Sequence, residues 1–227
     1  MSDATNQTRL PRFAPVLLVC VLFACGSNEP AEPTASVQST ATSRPSTGAV
    51  GDDRGDAYMR SGEPAPGYLD QVEGIVTTED EATLRFVDEL AEPLPAEPGL
   101  PEGDEALGWS FCVDTDPGVS PVGFPMRAAM PCEFIVHIRW DGDELRAMLI
   151  DRRPLVDDRD ARVEDVPVTP GDSSVEAVVP IQSLDNPKRF GWSMFTEELG
   201  ALGTNRVYHI DETPEGGVGD PETWRSS

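Results

Sequence analysis

Basic residues are scarce. Lysine and arginine number 17 against 41 acids, giving a formal net charge of −24 over 227 residues. So acidic a surface repels phosphate backbones, which excludes nucleic acid as a natural partner. It also repels anionic headgroups, so any membrane attachment must come from lipid rather than charge. Histidine is scarcer, with His137 and His209 the whole supply. A nucleophile–base pair therefore has few placements. There is no Gly-x-Ser-x-Gly elbow, no His-Glu-x-x-His pair and no glycine-rich phosphate loop. Acids are so numerous that chance carboxylate pairs argue nothing for a glycosidase. These absences predict a protein that is not an enzyme. A clean 3.6-residue apolar period is missing from every segment of helical length, which points to an all-β chain.

What is present begins with an address. Arg9 and Arg12 precede the apolar residues 13–24. That run is about a dozen residues long, short of the roughly 20 needed to span a hydrocarbon core. Positive charge followed by a short apolar run reads as a secretory signal peptide, here residues 1–24. The run ends Leu22-Phe23-Ala24-Cys25-Gly26-Ser27. This resembles the bacterial lipobox, in which an apolar residue at −3 and small residues precede an obligatory cysteine. The resemblance implies a diacylglyceryl thioether on Cys25 and cleavage just before it. Several acyl chains, at ~0.8 kcal/mol per buried methylene, would hold such a protein firmly to a membrane. The expected location is therefore extracytoplasmic and membrane-anchored by lipid. Gly26, rather than an acid, follows the cysteine, which is similar to proteins sent to the outer membrane in Gram-negative cells.

Residues 25–66 are rich in Pro, Ser, Thr, Ala, Gly and Glu and nearly free of large apolar side chains. Such a composition cannot bury enough surface to offset ordering entropy, so it predicts a lipidated, disordered tether. From 67 to 227 short runs of alternating polarity return. Strands are expected at 69–77, 83–87, 108–113, 132–140, 145–150, 174–181, 190–196 and 206–210, with Asp141-Gly142 turning the clearest hairpin. Residues 82–91 have a helical rival reading, but their β-suited pairs favour a strand. Seven or eight such strands predict an antiparallel β-sandwich. Cys112 and Cys132 are the two cysteines left in the mature domain. Export places them in an oxidising compartment, so a disulfide is expected, worth roughly 3 kcal/mol by the chain-entropy argument. Two buried thiols are the alternative.

The domain also resembles exported β-sandwiches of the DOMON and family-9 carbohydrate-binding type. The pieces that carry the resemblance are Asp52-Asp53-Arg54-Gly55-Asp56, Leu84-Arg85-Phe86, residues 109–116, Phe190-Gly191-Trp192 and the stretch 211–216. It implies an immunoglobulin-like or jelly-roll sandwich that binds sugar, haem or calcium in some members. Haem is disfavoured, since neither histidine sits in a recognisable ligand motif. Asp114 and Asp116 stand two apart at a strand end and form the candidate metal site. Calcium needs six to eight oxygens, so Asp52, Asp53, Asp56 or Asp211 would have to contribute. An acidic β-turn is the competing reading. Trp109 and Trp192 are expected in the core and Trp140 partly exposed, with Trp224 and Tyr208 as a weak sugar platform or an end staple. His137 is expected at a surface or edge. The function expected from sequence is an envelope lipoprotein with a non-catalytic binding module for carbohydrate, calcium or an envelope protein. A structural lipoprotein without small ligand is the alternative, and an unrecognised hydrolase comes third.

Overall fold

Alternation of apolar and polar residues is what builds this domain, because a strand shows its successive side chains to opposite faces. In the computed structural model, which describes residues 47–116, 132–200, 207–213 and 222–225, these strands pair into two antiparallel sheets. Five strands form the first: β1 (Thr47–Gly51), β2 (Gln71–Asp80), β3 (Thr83–Leu90), β8 (Val168–Pro170) and β9 (Ser174–Pro180), in the order β1-β2-β3-β9-β8. The second contains β4 (Asp104–Asp114), β5 (Phe134–Trp140), β6 (Leu145–Asp151), β7 (Arg162–Val166), β10 (Arg189–Gly200), β11 (Val207–Thr213) and β12 (Glu222–Arg225). Its order is β11-β10-β4-β5-β6-β7, and β12 also pairs with β10. No helix among the described residues is long and apolar enough to cross a membrane.

The core lies between the sheets. β3 contributes Leu84, Phe86 and Leu90, and β9 contributes Val175, Ala177 and Val179. Facing them, β4 supplies Trp109, Phe111 and Val113, and β10 supplies Phe190, Trp192 and Met194. Phe86 meets Phe111 edge-on with centroids 5.3 Å apart, an arrangement favoured by the ring quadrupoles. One member of the inward-facing row of β3 is not apolar. Asp88 occupies the slot between Phe86 and Leu90 and is fully buried.

The sandwich is as expected, and so are the eight strands read from the sequence, with residues 82–91 contributing a strand rather than a helix. Cys112 and Cys132 are joined by a disulfide, with their Cα atoms 5.2 Å apart. It closes the chain between β4 and β5.

Burial and pairing correct three expectations and, for Trp224, decide between the two readings. The folded domain begins before residue 67. Thr47–Gly51 pairs along its length with β2, and Ala57 is buried. Small residues cannot form a core, but they can complete a ladder of backbone hydrogen bonds, which composition does not report. Trp140 is buried rather than partly exposed, and its indole N–H donates to the Pro98 carbonyl at 3.0 Å. Trp224 is buried against Phe190, centroids 5.0 Å apart, and so acts as an end staple rather than a platform. His137 is buried, not a surface histidine. Cys25 and the signal segment lie outside the described residues.

Candidate functional site

Acidic side chains converge where the two sheets and the lead-in segment 52–66 meet. Asp70 immediately precedes β2 in the first sheet, and Asp211 lies in β11 of the second. Asp56 arrives on the lead-in. One carboxylate oxygen from each of Asp56, Asp70 and Asp211 lies within 4.8 Å of the others. Asp70 and Asp211 are 5% and 8% exposed, so these are not acids waving in solvent.

The local chain is shaped to bring them together. Gly55 has φ of +85°, a left-handed conformation that glycine adopts without steric cost. Its N–H donates to Asp70 Oδ2 at 2.8 Å. The Gln71 N–H donates to Asp211 Oδ2 at 2.8 Å, which ties β2 of one sheet to β11 of the other. The Gln71 side-chain amide donates to Asp88 Oδ2 at 2.6 Å. Asp52 accepts from the Thr213 hydroxyl and from the Asp53 N–H. The register between β2 and β3 shifts between Gln71 and Glu73, an irregularity of the kind that re-aims side chains at a sheet end.

These bonds use only part of the oxygen supply. Among the described residues, Asp56 Oδ1, Asp70 Oδ1, Asp88 Oδ1 and Gln71 Oε1 are buried atoms with no hydrogen-bond partner. Nor does any lysine, arginine or histidine among the described residues make an ion pair with Asp56, Asp70, Asp88 or Asp211. Arg54 acts on Asp70 only at a distance, while its Nη1 donates to the Ala91 carbonyl at 3.3 Å. Burial and the repulsion of neighbouring acids push Asp52, Asp70, Asp88 and Asp211 up. Burial first, then the charges of Asp52, Asp56 and Asp70, raise Asp211 to about 7. Burial holds Asp88 well above the carboxylate range, and Asp52 and Asp70 are raised for the same reason. Uncompensated buried carboxylates cost several kcal/mol each unless protons or a cation neutralise them. Carboxylate oxygens that converge without a paired cationic side chain are the kind of donor a hard divalent ion such as calcium takes.

The expected pair, Asp114 and Asp116, behaves differently. Asp114 is buried at the end of β4 and raised to about 6, first by burial and then by the charge of Glu133. Asp116 is exposed. Glu133 Oε2 accepts from the N–H groups of Thr115 and Asp116, each at 2.9 Å, and from the Thr115 hydroxyl. That organises an acidic turn. Among the described residues, the acids that bring three carboxylate oxygens within 4.8 Å of one another are Asp56, Asp70 and Asp211, and Asp114 keeps one buried oxygen without a hydrogen-bond partner. Asp52, Asp56 and Asp211 were visible in sequence as distant contributors. Asp70, Gln71 and Asp88 were not, because an isolated acid within an apolar strand carries no motif.

A second polar cluster lies on the outward face of β4, β5 and β10. Ser110 Oγ is 2.7 Å from His137 Nδ1 and donates to Glu197 Oε1 at 3.2 Å, and Glu197 Oε1 stands 3.3 Å from the same Nδ1. A Cβ on Gly108 would stand 2.9 Å from His137 Cε1, so glycine is what admits the ring. A serine–histidine–acid relay places serine and acid on opposite ring nitrogens. Here both share Nδ1, so the trio satisfies itself as a buried polar network. Nearby, His209 stacks on Phe195 and pairs with Glu212 at 2.5 Å. All four tryptophans are buried, which leaves no indole face for a sugar among the described residues.

No protein-family model matches the chain, and comparison with curated proteins and with solved structures likewise found no match.

The outward network generates a pH prediction. Burial raises Glu197 to about 7 and lowers His137 to about 4. The contribution of Glu197 is thus fully present below its ordinary value of 4.5 and is lost as pH rises through about 7. The contribution of His137 runs oppositely: it is present above 6.5 and is lost as pH falls through about 4. Glu197→Gln mimics the neutral acid. Its melting temperature relative to the parent should therefore rise between pH 5 and pH 8. An offset independent of pH would contradict burial of an ionising Glu197.

Proposed function

We propose that the chain is an exported, lipid-anchored, non-catalytic β-sandwich module whose sheet junction binds a hard divalent cation, calcium foremost. The observation that supports the cation is the convergence of Asp56, Asp70 and Asp211 oxygens within 4.8 Å, without a paired cation. Buried partnerless oxygens on Asp70, Gln71 and Asp88 support it independently. Asp56, Asp70 and Asp211 are the direct ligands in this reading, with the partnerless Gln71 amide oxygen as a further candidate and water filling the remaining positions. Asp88 stands behind Gln71 and orients its side-chain amide by accepting its N–H. The address rests on the sequence alone: Arg9, Arg12, the short apolar run and Leu22-Phe23-Ala24-Cys25. Millimolar calcium outside a cell suits the affinities of extracellular modules, about 10⁻⁴–10⁻³ M.

A ligand that binds the folded state raises its stability by RT ln(1 + [L]/Kd), about 2.7 kcal/mol at 100 times Kd. For a domain of this size that is roughly 5–10 °C in melting temperature. Calcium at 10 mM should produce a rise of that order over chelator. Asp70→Asn keeps an acceptor for the Gly55 N–H but removes a buried charge. It should melt no lower than the parent in chelator and should lose the calcium-dependent rise. An unchanged melting temperature in the parent, with or without calcium, would reject the cation reading.

The anchor is tested separately. Mass spectrometry of the mature protein should find diacylglyceryl-Cys25 as the first residue, and Cys25→Ser should leave an uncut, unlipidated chain. A mature terminus without lipid would reject the anchor and leave the cation site untouched.

A further inference from the structure

We infer that the bound cation acts as a clasp, fastening the lead-in segment 52–66 to both sheets at once, so that occupancy sets whether this segment stays docked. The inference rests on the cation reading above and goes further by assigning the site a mechanical task. Its basis is the origin of the three ligands. Asp70 belongs to the edge of the first sheet, Asp211 to β11 of the second, and Asp56 to neither. One ion shared by the three bonds the lead-in to both layers.

The segment's apolar hold is slight. Ala57 is its one buried apolar residue, while Met59 and Ala65 are only partly buried against the core and Tyr58 is 50% exposed. Its remaining attachments are polar. The Gly55 N–H donates to Asp70, the Tyr58 N–H donates to the Ile210 carbonyl at 3.1 Å, Arg60 reaches Asp104 at 2.8 Å and Glu198 at 3.6 Å, Arg54 donates to the Ala91 carbonyl, and Asp52 is bonded to Val72 and Thr213. The Tyr58 bond falls next to Asp211, and the Gly55 bond next to Asp56, so both flank the trio. Without the ion, three carboxylates from three elements repel one another at the point where the lead-in must sit. With it, the same charges become the bond.

Hydrogen exchange on the mature chain, with calcium and with chelator, tests the inference while calorimetry reports binding of calcium itself. An opening that takes Asp56 away must release the ion, so calcium at 100 times Kd should slow that opening about 100-fold. The amides of Gly55 and Tyr58 should show this slowing. In Asp56→Asn, calorimetry should show weaker binding and these amides should lose their calcium-dependent protection. If calorimetry shows binding while these amides exchange at the same rate in both conditions, the clasp is overturned and the cation site stands. If calcium does not bind at all, both fall. The comparison within the parent chain decides the matter even if the variant fails to fold.

Discussion

Negative charge held away from water at the meeting of two sheets is the constraint on which the rest of this molecule depends. A carboxylate in a sandwich core is costly unless something opposes it. Here Asp88 takes a place in β3 where its neighbours Phe86 and Leu90 show that an apolar residue fits. Gln71 spans from Asp88 toward Asp211, so one amide side chain and its backbone N–H connect acids on opposite layers. Arginines are available elsewhere in the fold. Arg153 pairs with Asp151 at 2.8 Å, and Arg85 lies between Glu79 and Glu176. Among the described residues none of them forms an ion pair with Asp56, Asp70, Asp88 or Asp211. In the proposed reading a positively charged species from outside the chain resolves that imbalance, and an oxygen-only donor set suits a hard one.

The two polar clusters divide the labour differently. On the outward face, Ser110, His137 and Glu197 exchange hydrogen bonds among themselves; burial lowers the imidazole so that it is neutral near pH 7, and raises the acid so that it titrates there. That network closes on itself. At the sheet junction the acids outnumber their donors, and oxygens are left over. A surplus of buried acceptors points to a ligand, whereas a closed network points to packing and specificity. The disulfide between Cys112 and Cys132 stands beside the outward network, since Cys112 follows Ser110 on the same face of β4.

Much of the architecture was legible because period-two alternation is a local property. Phe134, Val136, Ile138 and Trp140 announce β5, and Asp141-Gly142 announces its turn into β6. Strands lacking that pattern escaped. β1 reads Thr-Gly-Ala-Val-Gly, and β7 shows four exposed residues out of five at a sheet edge, so pairing rather than burial defines them. The site was legible only in part. Asp52, Asp56 and Asp211 fall in acidic runs that composition exposes, but Asp70 and Asp88 matter because of a juxtaposition across sheets. His137 defeated a face-by-face reading because the outward side of β5 is buried as well.

The central claim, that the junction of the sheets holds a metal ion, is met most directly by a crystal structure of the mature protein grown in millimolar calcium. The account predicts a density peak bonded to oxygens of Asp56, Asp70 and Asp211 at about 2.3–2.6 Å, with an anomalous signal when a heavier ion of the same class replaces calcium. Carboxylates that share protons among themselves with no peak between them, in crystals grown from that calcium, would contradict it.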